Sequence, residues 1–196
     1  MRIRPFFLKE IFREGNVAMK SIIAKTFMSV EEKKKLVSKI EKAACDNERR
    51  RKGCCRNVIA ALQMHLGLGD GDVFRAAVPL GGGVARSGGT CGALLGGLMA
   101  IGLAYCEDDQ DVSVTTPLYE ETMLRGIEFF EIFKKKHGSL ECRDIQMNVF
   151  GRYYDLNKPD EASELGEVDR KAGYPVIASA ARLAAEIILK INKVQS

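Results

Sequence analysis

The 196-residue chain has no tryptophan, and only 7% of its residues are aromatic. Single-stranded nucleic-acid binding relies on stacking bases against aromatic rings, so no nucleic-acid partner is expected. Charge of one sign is also scarce: 30 basic against 26 acidic residues leave a net +4, too little to imply a polyanionic partner. No Cys-x-x-Cys pair occurs, which argues against a thioredoxin-type dithiol, a zinc finger and a bacterial ferredoxin-type cluster. Only two histidines are present, and they are too far apart in sequence to form a paired metal-ligand motif. No apolar run is long enough to span a bilayer convincingly. The longest, Cys91 to Cys106, has 16 residues and contains four glycines. No secretory leader pattern opens the chain, so a cytoplasmic, reducing setting is expected, with cysteines as thiols or metal ligands.

What is present is a helical pattern. Hydrophobic residues make up 46% of the chain and charged residues 29%, a globular composition. Ser29 and Glu32 have capping-box spacing and open a first helix that carries Leu36, Val37 and Ile40 before ending at the basic run Arg49–Lys52. A second helix is expected from about Cys54 to Leu66, and a short one over DVFRAAVPL, closed by Pro79 and Gly81–Gly83. CGALLGGLMAIGLAYC reads as a buried, glycine-rich central helix. Thr116-Pro117 starts a helix that ends with three lysines, His137 and Gly138. Ser139 is expected to cap a short helix over LECRDIQMN. Residues 150–172 read as polar and irregular, and Pro175 opens a last helix. No alternating strand pattern is found. The fold class is therefore all-α: a single compact multi-helix domain over residues 29–196, with residues 1–28 as an extension that could be mobile. Met19 offers a second plausible start within that extension.

The chemistry is carried by six cysteines: Cys45, Cys54, Cys55, Cys91, Cys106 and Cys142. Cys54 and Cys55 open a helix after Gly53. Cys91 follows Thr90, read as an N-cap, and Cys142 lies in the first turn after Ser139. Helix starts carry free N–H groups and a partial positive charge, which favour thiolate over thiol. Arg49, Arg50, Arg51, Arg86 and Arg143 would push the same way if close. Cys54, Cys91 and Cys142 are thus the candidate catalytic residues, and these three with Cys55 the candidate metal ligands. Cys45 and Cys106 read as packing residues. A buried free cysteine also serves as a small hydrophobe, so a non-catalytic helical binding or assembly module, which could be a homo-oligomer, is the alternative. A glycine loop before a helix can also hold an anion, which makes Gly82, Gly83, Arg86, Thr90 and Gly92 candidate ligand-binding residues. The loop lacks a Gly-Lys-Ser/Thr ending, so it is no P-loop.

The segment PLGGGVARSGGTCGALLGGLMAIGLAY resembles the putative redox-active protein family named for its C_GCAxxG_C_C pattern. The core motif reads Cys91-Gly92-Ala93-Leu94-Leu95-Gly96 here, with Cys-Gly-Ala where the family name spells Gly-Cys-Ala. The first family cysteine corresponds to Cys54 in GCCRNVIAAL, and the third to Cys142 in HGSLECRDI. Where the fourth is expected, beside a proline, this chain has Tyr174-Pro175. The resemblance implies an all-helical, redox-linked protein acting with a redox partner. It also implies either thiol exchange or a metal centre such as an iron–sulfur cluster, with Cys55 as a substitute fourth ligand.

Overall fold

The computed structural model describes Lys25 and residues 27–106 and 116–190. All of the expected extension 1–28 except Lys25, Phe27 and Met28, the alternative start at Met19, and residues 107–115 and 191–196 lie outside the described residues. Within them the chain forms eight α-helices: α1 Val30–Arg50, α2 Cys54–Leu66, α3 Gly71–Ala76, α4 Gly92–Tyr105, α5 Pro117–His137, α6 Cys142–Phe150, α7 Pro159–Ala172 and α8 Pro175–Ile188. A 3-10 turn, Val78–Leu80, follows α3. The only β-type pairing among the described residues is a single antiparallel bridge, Thr90 with Glu141. The all-α expectation holds. No helix of the described residues is long and apolar enough to cross a membrane.

The helix ends follow local chemistry. The Ser29 hydroxyl accepts the Glu32 N–H at 3.2 Å, and the Glu32 carboxylate accepts the Ser29 N–H at 2.8 Å. This reciprocal box starts α1. Thr116 caps α5 by accepting the Tyr119 N–H at 3.1 Å, with Pro117 at the first helical position. Gly138 ends α5 in the left-handed region, at φ +76°.

Helix α4 lies at the centre. It packs on α2, α5 and α8, while α1 closes the far side against α2 and α8. Leu94, Ala100, Ile101 and Ala104 of α4 are buried with Ile59 and Leu62 of α2, Phe129 and Phe133 of α5, and Ala181 and Ala184 of α8. The glycines of α4 permit close approach. A Cβ at Gly96 would fall 2.5 Å from the Cys55 carbonyl oxygen, and one at Gly97 would enter the Phe129 ring. Their low helix propensity is offset by this backbone-to-neighbour packing.

Three elements differ from the sequence expectation. Helix α6 has Glu141, not Ser139, at its N-cap position, because the Ser139 hydroxyl is engaged before the helix starts: it accepts the Glu141 N–H at 3.1 Å and donates to Asp144 at 2.8 Å. The DVFRAAVPL helix divides, because α3 stops at Ala76 and Pro79 cannot donate an amide to continue it. Residues 150–172 are not irregular: α7 occupies Pro159–Ala172. Pro159 sits at its first position, Asp160 and Glu161 in its first turn, and Gly173 is its left-handed cap.

A cleft where three cysteines meet

Three helix starts converge. Cys54 is the first residue of α2, Cys91 immediately precedes α4, and Cys142 is the first residue of α6. The Thr90–Glu141 bridge explains part of this convergence, since each partner immediately precedes a cysteine. The Cys91 N–H donates to the Leu140 carbonyl at 2.8 Å, the Cys142 N–H to the Gly89 carbonyl at 2.7 Å, and the Arg143 N–H to the Gly88 carbonyl at 3.0 Å. Two remote segments are therefore stitched side by side. Cys54 is brought against them by Gly92, where a Cβ would lie 2.6 Å from the Cys54 Sγ and 2.6 Å from the Leu80 carbonyl oxygen. Only glycine leaves room for that sulfur.

Cys54, Cys91 and Cys142 line one cleft of about 720 Å³. Cys54 and Cys142 keep partial exposure, whereas Cys91 is only 4% exposed. Cys55 is not part of the lining. It turns into the core, where its Sγ lies 3.9 Å from the Met99 Sδ. A helix turns about 100° per residue, so adjacent residues at a helix start face different ways. Cys45 donates weakly to the Gly173 carbonyl, with the sulfur 3.7 Å from the oxygen, and Cys106 ends α4. Neither lines the cleft.

The glycine loop forms the cleft's rim. Gly82, Gly83, Val84, Ala85 and Arg86 run consecutively at φ +67°, +76°, +60°, +50° and +61°. This is a left-handed turn that costs a non-glycine residue roughly 1–2 kcal/mol each. Most of the loop's amides are engaged internally: Ala85 to the Pro79 carbonyl, Arg86 to Gly81, Gly88 to Gly82 and Gly89 to Gly83. Of the candidate ligand-binding residues, Gly82 and Arg86 line the cleft, and Gly83, Thr90 and Gly92 do not. Thr90 is a bridge residue, not the expected N-cap: Cys91 occupies that position, with no side-chain cap.

The thiols are not activated as the helix-start argument predicted. Burial pushes Cys54 up to about 12, with the neighbouring Cys142 and Glu48 adding to the shift. Burial also raises Cys91, reinforced by Cys54 and Cys142, and it raises Cys142. Opposing this are the Gly82 and Cys55 amides at Cys54 and the Leu94 and Ala93 amides at Cys91. At Cys142 the Gln146 side-chain amide donates to the sulfur at 3.3 Å. Desolvation outweighs the helix ends here, and the arginines expected to help are not among the causes.

Sequence reasoning missed the polar wall of the cleft. Glu48, 5% exposed near the end of α1, accepts the Gly53 N–H at 3.1 Å and the Asn57 side-chain amide at 2.6 Å. Asp169 of α7 lines the same cleft, and burial, reinforced by Glu48, raises it to about 6. Glu48 itself is raised, again by burial first. The signal for α7 was present in Pro159 and Gly173; nothing local announced Glu48. His137, at the C-terminus of α5, lies tilted against Phe133 with 4.4 Å between ring centroids and shares a 2.6 Å hydrogen bond with the Ser179 hydroxyl. Burial lowers it to about 4, so it is neutral.

The donor set does not fit a four-thiolate iron–sulfur centre. Tyr174 stands in the fourth position, 1% exposed with an unpartnered hydroxyl, and Cys55 is directed elsewhere. Among the described residues no three His, Cys, Asp or Glu side chains are gathered to hold a metal ion.

No curated protein and no solved structure matches the chain. A family model does: the one described as Putative redox-active protein (C_GCAxxG_C_C) matches residues 53–187, which include all three cleft cysteines and the glycine loop. The chain belongs to this redox-linked family.

Proposed function

We propose that the chain is a thiol–disulfide exchange protein in which Cys54, Cys91 and Cys142 act together. The observation that supports this most is that one cleft is lined by three free thiols from three separate helix starts. The partly exposed Cys54 and Cys142 are the thiols that meet a substrate, and buried Cys91 is the internal reserve. In the exchange, Cys54 gives up its proton and its sulfur attacks one sulfur of a substrate disulfide. The substrate S–S bond breaks, a mixed disulfide forms on Cys54, and the other half leaves as a thiol carrying a proton. A second cleft thiol then attacks the Cys54 sulfur, releases the remaining half as a thiol and leaves an internal disulfide. Two protein thiols are oxidised by two electrons while one disulfide is reduced to two thiols.

Burial sets the resting state. Protonated thiols attack slowly, so the site is guarded at neutral pH and gains reactivity as pH rises. The amides around Cys54 and Cys91, and Gln146 at Cys142, would hold the anion once formed. The metal reading requires the sulfurs to draw together and to recruit a ligand from elsewhere.

Anaerobic purification with metal analysis and a visible spectrum, run beside equilibration in glutathione redox buffers, separates the two readings. Exchange predicts metal-free protein whose mass falls by about 2 Da on oxidation, the loss of two hydrogens, in a step abolished by Cys54→Ser. A stoichiometric metal with a charge-transfer band would replace this reading with the metal one. Colourless protein whose thiols stay reduced throughout would remove both and leave the assembly-module alternative.

A further inference from the structure

The cleft's charge and shape bear on what kind of disulfide it takes. Resting on the exchange reading, we propose that the cleft selects small disulfides that carry anionic groups, carboxylate or phosphate, and binds those groups on Lys52, Arg56 and Arg86.

The volume, about 720 Å³, suits a small molecule and not a protein loop and its flanks. Three cations line it from three different stretches of chain: Lys52 between α1 and α2, Arg56 in the first turn of α2, and Arg86 in the left-handed turn. Each gives part of its donors to backbone carbonyls, and Lys52 and Arg56 also lie over the Tyr174 and Phe74 rings. The Lys52 Nζ donates to Gly166 at 3.3 Å, Arg56 donates through Nε and Nη2 to Lys52 at 3.1 and 2.6 Å, and the Arg86 Nη1 donates to Leu156 at 3.3 Å. Among the described residues none of the three is in an ion pair. A guanidinium has five N–H donors, so Arg56 and Arg86 keep donors to offer an incoming anion.

Two carboxyls share the lining and offset part of this charge when ionised: Glu48, bound by the Gly53 amide and Asn57, faces Lys52 and Arg56, and Asp169 faces Lys52, so three cations stand against two carboxyls and Arg86 is not among the charges acting on either. Arg86 adds a separate argument. It is not a glycine, yet its backbone is held at φ +61°, next to Val84 and Ala85 in the same region. Such a conformation persists only where the surroundings impose it. Here it places a cationic side chain at the rim of a cleft that contains thiols. Pro79, Ile145, Phe150 and Leu156 supply apolar wall for the aliphatic body of the substrate.

The chemical step is the one given above. A disulfide of anionic thiols, bound by the three cations, is attacked by Cys54; its S–S bond breaks, and both halves leave as thiols while two protein thiols become a disulfide.

The test compares four disulfides at one alkaline pH and low salt: oxidised glutathione (carboxylates), phosphopantetheine disulfide (phosphates), bis(2-hydroxyethyl) disulfide (neutral) and cystamine (cationic). Rates of oxidation, read by intact mass as mixed plus internal disulfide, are divided by the rates of the same reagents with dithiothreitol. The proposal predicts that at least one anionic reagent exceeds the neutral one, and cystamine by more, with about a tenfold preference that falls in 0.5 M salt. Whichever of the first two reagents is faster assigns carboxylate or phosphate. In Arg56→Gln, Arg86→Gln and the double variant the anionic-to-neutral ratio falls toward one, and Arg86→Lys restores part of it. The wild-type ratios carry the test by themselves if a variant fails to fold. Normalised rates equal across all four reagents would overturn the anion preference and leave thiol exchange standing. Cleft thiols that stay fully reduced with every reagent, with neither a mixed nor an internal disulfide formed, would overturn the exchange reading and this inference with it.

Discussion

Replacing Gly92 by alanine probes the seat of the Cys54 sulfur, and Gly102 of the same helix supplies the control. At Gly92 an added Cβ would meet the Cys54 Sγ and the Leu80 carbonyl oxygen, both at 2.6 Å; at Gly102 it would meet nothing within 4 Å. The intrinsic helix gain of Gly→Ala is at most about 1 kcal/mol, and less at Gly92 because it is the first residue of α4. Overpacking against a backbone oxygen and a sulfur costs about 1–3 kcal/mol. Gly102→Ala should therefore stabilise the protein by about 0.5–1 kcal/mol, and Gly92→Ala should destabilise it by about 1–2 kcal/mol. For a chain of this size, roughly 2–4 °C per kcal/mol makes the two variants differ by about 5–10 °C in melting temperature. Urea unfolding reads the stabilities, and iodoacetamide labelling with peptide mass analysis reads Cys54. The displaced sulfur should change its labelling rate in Gly92→Ala and keep it in Gly102→Ala. Equal stabilisation in both variants with unchanged Cys54 labelling would refute the packing argument for the cleft.

Other expectations follow from single residues. His137, at about 4 in the folded chain against 6.5 unfolded, contributes stability that is complete above pH 6.5 and is lost as pH falls toward 4. The loss is roughly 3 kcal/mol at most, so the difference between wild type and His137→Gln in urea unfolding should shrink over that interval, whatever the carboxyls contribute to both. Cys55→Ser places a hydroxyl beside Met99 in the core and should cost about 1–3 kcal/mol while leaving the internal disulfide able to form. Tyr174→Phe removes a buried, unpartnered hydroxyl and should be neutral or stabilising by up to about 1–2 kcal/mol; a large loss would mean that the hydroxyl has a partner.

The fold was legible where the information was local. Ser29 with Glu32, Thr116 with Pro117, and Gly138 each fix a helix end within four residues, and each end lies where the sequence placed it. Helix α7 was legible too, from Pro159, Asp160 and Gly173, but its polar composition hid it. Its inward face, Ala162, Leu165, Gly166, Val168 and Asp169, is only half-buried and mixes apolar with small and charged residues, so its periodicity is weak in the sequence. The sequence pointed to the three cysteines that line the cleft but not to the electrostatics of the candidate site. Helix starts at Cys54, Cys91 and Cys142 are a sequence property; how deeply each sulfur is buried is not, and burial decided the direction of all three shifts. The Thr90–Glu141 bridge joins segments fifty residues apart through backbone atoms alone, so no side-chain pattern signals it. Cys55 shows the same limit, since adjacency to Cys54 in sequence says nothing about sharing its cleft.

The most direct measurement is peptide mapping of the protein after oxidation with one equivalent of a disulfide, with free thiols blocked before digestion. The account predicts a linkage drawn from Cys54, Cys91 and Cys142, with Cys45, Cys55 and Cys106 recovered as free thiols. A dominant linkage through Cys45, Cys55 or Cys106, with the three cleft cysteines still free, would contradict it.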